Sequence, residues 1–267
     1  MSHHHVMASM NGLGFCYAAC PGIFLGRQEC GPLNIVWDTN ILIDYQQHGL
    51  TLWDDEEVNV PHGKYRNDVV ALGGLIDAWS MRDISFHIFP RTIDDAKKRL
   101  TESRRIERER AIAQIVQALC LESGRRWAEG GDFRSWYQGD RAGIPREIPG
   151  QLSLFSDEVT TSAETVLDQL PEGADRELVH QAVSNRFHVF LTRDAGVLRV
   201  QPELARFGLL TLSPAALIEK FDEYRISAFG GGLRDHPGCP YQFGSLTNDL
   251  QRMSHLIQAL DAHRPAP

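Results

Sequence analysis

No apolar run in the 267-residue chain approaches the roughly 18 residues needed to cross a bilayer, so no membrane-spanning helix is expected. The stretch Leu13 to Leu25 is modestly apolar. No Lys or Arg precedes it and no small-residue cleavage pattern follows, which argues against a secretory signal. Cysteine is scarce and odd in number, five residues of which Cys16, Cys20 and Cys30 fall in the first thirty positions. That excludes a disulfide scaffold and fits a reducing, cytoplasmic setting. The spacing of those three also matches no closed tetrahedral zinc motif. Glycine-rich phosphate loops of the nucleoside-triphosphate and dinucleotide types are missing, and with them two large nucleotide-binding classes. Internal repeats are missing too. Positive charge is not in excess either: the net charge is −8, at first sight unfavourable for a nucleic-acid partner.

What is there is ordinary globular material, 42% hydrophobic and 23% charged, enough for a sizeable core. Charge is unevenly spread. Residues 91–110 hold eight Lys or Arg against five acids, whereas 157–175 hold six acids and no basic residue. An acidic centre beside basic flanks follows from that distribution. Short apolar strands are expected at Asn34–Trp37, Ile84–Phe89, Val189–Leu191 and Leu209–Leu212. Helical spacing appears between and around them, at Thr39–Gln47, Asn67–Met81, from a cap at Thr92 to about Leu121, at Asp157–Leu170, Ala174–Arg186 and Ala215–Tyr224. This alternation predicts an α/β fold, a three-layer αβα sandwich with a central, mostly parallel sheet of about four to five strands.

The expected organisation has three parts. Residues 1–33 read as a leader, disordered or tag-derived, opening on His3-His4-His5. Residues 34–225 form the main domain, interrupted by an insertion at 124–156. Residues 226–267, beyond the hinge Gly230-Gly231-Gly232, form an extension whose helix Leu246–Leu260 packs on the domain. The insertion is rich in Gly and Pro and mixes Trp127, Trp136 and Tyr137 with Arg125, Arg126, Arg134 and Arg141. Rings of that kind stack on unpaired bases and Arg meets phosphate, although a protein interface uses the same residues.

Four carboxylates carry the chemistry. Asp38 and Asp194 each end an apolar strand, while Asp95 and Asp175 each sit near the start of a helical pattern. Strand ends of a parallel sheet are where ligands collect, and like charges gathered there call for a counterion. Hard oxygen donors suit Mg²⁺ or Mn²⁺, which activates water and neutralises a phosphodiester in hydrolysis. Asp38, Asp95, Asp175 and Asp194 are thus the candidate metal ligands and catalytic residues. Thr39, Asn40 and Thr192 are candidates to orient them. Arg193 and Arg91 are candidates to meet substrate phosphate, along with Arg125, Arg126, Trp127 and Trp136. Each acid also has a plain alternative, since Asp before a helix is a cap and Asp in a first turn favours the helix dipole.

Taken in order, Asp38-Thr39-Asn40 after the first strand, Asp94-Asp95 in the helix after the second, Asp175 opening a later helix, and Thr192-Arg193-Asp194 closing the next strand resemble the PIN-domain ribonucleases. The likeness covers roughly 34–121 and 157–224. It departs in having Asp where members usually carry Glu at the second position, and in the insertion and tail. The resemblance implies a Mg²⁺/Mn²⁺-dependent endoribonuclease of toxin-antitoxin or RNA-processing type, acting on single-stranded RNA, with a protein inhibitor or a homodimer as further partners. A structure-specific DNA nuclease on the same fold and a non-catalytic binding module are the alternatives.

Overall fold

A computed structural model describes residues 14–120 apart from 32, 83 and 99, residues 166–170 and 173–227, and single positions at 231, 257 and 260. Two short strands, β1 (Phe15–Cys16) and β2 (Cys30–Gly31), pair antiparallel around the helical turn α1 (Pro21–Phe24). The central sheet is built from β3 (Leu33–Trp37), β4 (Ile84–His87), β5 (Val189–Leu191) and β6 (Leu210–Leu212). All pairings in it are parallel, in the order β4-β3-β5-β6. The buried apolar runs of β3 and β5 are what a sheet covered on both faces requires.

Side-chain alternation divides the core in two. Leu33, Ile35 and Trp37 of β3 meet α2 (Thr39–Trp53), α3 (Lys64–Met81), α5 (Glu102–Cys120) and α9 (Pro214–Glu223) on one face. There Trp37 packs edge-on against Tyr45 and Phe86, with ring centroids 5.6 and 5.0 Å apart. Val36 and Phe190 point the other way, into a cluster with α6 (Ala174–Ser184), α7 (Ala195–Arg199), α8 (Gln201–Ala205) and the turn holding Leu167 and Leu170. The chain therefore forms a three-layer α/β sandwich around four parallel strands. The connection leaving β3 runs to one side of the sheet and that leaving β5 to the other, so the crevice outside their carboxyl ends is the switch point where ligands collect.

Four expectations are corrected. The helix capped by Thr92 is in fact two helices: α4 (Pro90–Ala96), capped by Phe89, and α5. Thr92 lies inside α4, buried, and its hydroxyl points at the Trp37 carbonyl at 3.4 Å. The break at 97–101 is held by ion pairs of Lys97 with Asp94 and Glu109 and by Arg108, which donates to the Ala96 carbonyl. The leader reading also fails over the described part of 1–33. Phe15, Cys16, Cys20, Ile23 and Phe24 are core residues. Arg27, itself buried, donates to the carbonyls of Arg186, Phe187 and Gly208 at 2.7–2.9 Å. Cys16 and Cys20 are buried thiols, that of Cys20 donating to the Cys16 carbonyl at 3.1 Å, and burial pushes Cys20 up to about 11. Finally, β4 stops at His87, two residues short, and α2 runs six residues past Gln47. All of 124–156 and most of 226–267 lie outside the described residues, although Leu260 is buried next to Gly49.

Candidate metal centre

Asp38 is the residue at which β3 becomes α2, and it is almost fully buried. Its Oδ1 accepts from the Thr39 amide at 2.6 Å, and its Oδ2 accepts from Asn40 Nδ2 and Thr192 Oγ1, both at 2.5 Å. Thr39 thus acts through its backbone, while Asn40 and Thr192 act through their side chains. Asn40 Oδ1 accepts the Arg193 amide at 3.1 Å, and Thr192 Oγ1 accepts the Asp194 amide at 3.0 Å. These bonds join the carboxyl ends of β3 and β5, which are separated by about 150 residues in sequence but are neighbours in the sheet.

Asp194 opens α7, its Oδ1 accepting from the Val197 amide at 2.9 Å, so the cap reading and the site reading hold together for this residue. Asp175 lies in the first turn of α6. The acids are within one another's field. Burial raises the Asp38 carboxyl to about 6, and the charges of Asp175 and Asp194 add to that shift, while Thr192 and Thr39 oppose it. Burial and the charges of Asp194 and Asp95 likewise raise Asp175. Among the described residues, no Lys, Arg or His pairs with Asp38, Asp175 or Asp194. Asp95 differs. Its largely buried side chain is ion-paired with Lys98 and with Arg91 at 3.1 Å, and Arg91 also lies 3.7 Å from Glu177. Its neighbour Asp94 faces solvent, which explains why Asp95 and not Asp94 belongs to the site.

Three uncompensated acids and a fourth already neutralised make a donor set of hard oxygens suited to a divalent cation, and poorly suited to soft metals. Among the described residues no three His, Cys, Asp or Glu side chains are disposed to enclose an ion as they stand.

Arg193 turns away from the acids. Its guanidinium grips buried Asp44 of α2 through Nε at 2.6 Å and Nη2 at 2.9 Å, and lies over the Tyr65 ring at 4.5 Å. Arg91 is partly exposed at the rim. Arg125, Arg126, Trp127 and Trp136 lie outside the described residues. Asp44, Tyr65 and Lys98 were missed as parts of this region. Asp44 did carry a signal, since an acid within Ile41-Leu42-Ile43-Asp44-Tyr45 faces the core and a buried charge needs a partner.

Comparison of the chain with protein-family models, with curated proteins and with solved structures finds no match.

Proposed function

We propose that the chain is a Mg²⁺- or Mn²⁺-dependent phosphodiester hydrolase acting on RNA, a PIN-like endoribonuclease. One observation carries this reading. Asp38 and Asp194 stand at the ends of neighbouring strands at the switch point of a parallel sheet, the charges of Asp175 and Asp194 add to the rise of Asp38 and that of Asp194 to the rise of Asp175, and none of the three has a basic partner among the described residues. Such a group is stabilised in its charged form by taking up a cation. Bound there, the cation would lower the pKa of a coordinated water and offset charge on the scissile phosphate. Asp38, with both oxygens already aligned by Thr39, Asn40 and Thr192, is the anchoring ligand; Asp175 and Asp194 complete the set. Asp95 holds Arg91 and Lys98 beside them, where a phosphate backbone would pass. The choice of RNA over DNA rests on the PIN-like order of the motifs.

The test is cleavage of a labelled single-stranded oligoribonucleotide with 1–5 mM Mn²⁺, taken as an order-of-magnitude working range, against the same sequence as DNA. RNA cleavage is expected in wild type and should fall to background in EDTA and in Asp38→Asn, with the circular-dichroism spectrum unchanged. Cleavage that survives both treatments sinks the proposal. RNA binding without cleavage in Mn²⁺ would instead favour a non-catalytic module.

A further inference from the structure

The turn after β5 is fastened to α2 twice. The first fastening is the set of bonds among Asp38, Asn40, Thr192 and the Arg193 amide. The second lies one helical turn further along α2, where the Arg193 side chain meets Asp44. Both Asp44 oxygens are engaged, Oδ2 by Nε and Oδ1 by Nη2 together with the Tyr65 hydroxyl at 3.1 Å. The Tyr65 hydroxyl in turn lies 3.5 Å from His48 Nε2. Tyr65 comes from the first turn of α3, so three separate parts of the chain close around one guanidinium.

From this geometry we infer that Asp44, with Tyr65, makes Arg193 a positioning residue of the metal centre: the clamp sets Asp194 against Asp38 and keeps the Arg193 charge away from the acids. The inference rests on the metal-site reading above. Two physical arguments support it. An arginine between Thr192 and Asp194 would otherwise be the nearest available counterion for Asp194, and an internal cation there competes with a metal for the same oxygens. Asp44 removes that competitor by taking the guanidinium in a planar, two-bonded pair, an arrangement lysine cannot reproduce. Conversely, an Arg193 that swung out to a substrate phosphate would leave Asp44 buried and unpaired, which is among the costlier losses a fold can take. The notion of Arg193 as a phosphate ligand therefore gives way to one in which it acts through Asp194.

The test uses the full chain and reads metal binding directly, by the electron paramagnetic resonance signal of free Mn²⁺. Asp44→Asn and Arg193→Ala should each weaken Mn²⁺ affinity about 10–100-fold, the usual effect of removing a group that orients a metal ligand. Arg193→Lys should recover only part of the loss, and the double variant Asp44→Asn/Arg193→Ala should be no worse than the poorer single. Affinity for a single-stranded oligoribonucleotide in EDTA, read by fluorescence anisotropy, should stay within about twofold of wild type by the same argument. Unchanged Mn²⁺ affinity in both single variants overturns the inference, as does weakened RNA binding at unchanged Mn²⁺ affinity, which would restore Arg193 as a phosphate ligand. Should Arg193→Ala fail to fold, Asp44→Asn and Arg193→Lys carry the decision. Asp38→Asn is the control: if wild type and Asp38→Asn bind Mn²⁺ alike, the metal-site reading itself falls; if Asp38→Asn alone loses binding, only the clamp does.

Discussion

Burial of Asp38 destabilises its charged form. Burial raises its carboxyl to about 6 against an ordinary 3.8, so the folded state holds the proton more tightly than the unfolded chain does. The sign follows from linkage: stability is greatest below the ordinary value, declines as pH rises between about 4 and 6, and is flat above. A shift of this size is worth roughly 2–3 kcal/mol for a buried group. In EDTA, Asp38→Asn should therefore melt progressively higher than wild type as pH rises from 4 to 6, with the gap constant at pH 7 and above. Thermal denaturation at matched ionic strength checks this; a gap that does not change with pH would show that Asp38 carries no such penalty. Added Mn²⁺ should reverse the order at pH 7.5. A ligand at a hundredfold excess over Kd contributes about 2.7 kcal/mol to the fold that binds it, and the variant would gain little.

At the scale of elements, the informative piece is the segment from β1 to β2. It reads as a leader because its apolar residues lack either helical or strand period, yet its side chains complete the core face formed by β3, β4 and α9. Arg27 fixes it. The guanidinium closes the carbonyls just ahead of β5 and β6, where no ladder partner is available, and its burial lowers the affinity of Arg27 for its own proton to about 10. Arg27→Met should keep most of the volume while leaving those carbonyls unsatisfied, at a cost of roughly 2–4 kcal/mol. Urea unfolding measures this, and a midpoint shift corresponding to under about 0.5 kcal/mol, the usual size for an innocuous surface change, would remove Arg27 from the account. The division of α4 from α5 is a second element-scale matter. Asp95 and its cations sit at the end of a short helix, and α4 packs against α2 and α6 on either side of the crevice.

Across the whole molecule, the buried histidines oppose the pH behaviour of Asp38. His188 Nδ1 accepts the Asn34 amide at 2.9 Å and its Nε2 donates to Glu29 at 2.8 Å, while His87 lies 3.2 Å from Asn34 Oδ1 with its ring tilted against Phe187. Burial lowers His188, and burial together with the His188 charge takes His87 down to about 3. Glu29 is also lowered: burial works against this, but the bond from His188 and the charges of Arg27 and Arg186 outweigh it. For a histidine lowered in the fold, the unfolded chain binds the proton better, so stability is lost as pH falls below about 6.5. Glu29 loses its contribution in the same direction, below its unfolded value of 4.5. In EDTA, lowering the pH from 7 to 4.5 should consequently cost wild type more stability than it costs His87→Gln, whose stability at neutral pH is the lower of the two. A variant with the wild-type slope would place the acid sensitivity elsewhere.

The sequence by itself determined whatever depends on near neighbours. The buried run Asn34–Trp37 ending in Asp38, the run Val189–Leu191 ending in Thr192-Arg193-Asp194, and Asp175 in a first helical turn all follow from period and from polar residues at element ends. Parallel strands separated by helices then place two of those ends side by side. Tertiary structure alone decided the rest. That Arg193 serves Asp44, that Asp95 is already paired with Arg91 and Lys98, and that Phe15 and Arg27 belong to the core are each settled by partners far off in the chain or on another element. A carboxylate or guanidinium looks the same in sequence whether it waits for a metal, a phosphate or a buried counter-charge. Only the fold, by fixing which oppositely charged group is within reach when water is excluded, chooses among them.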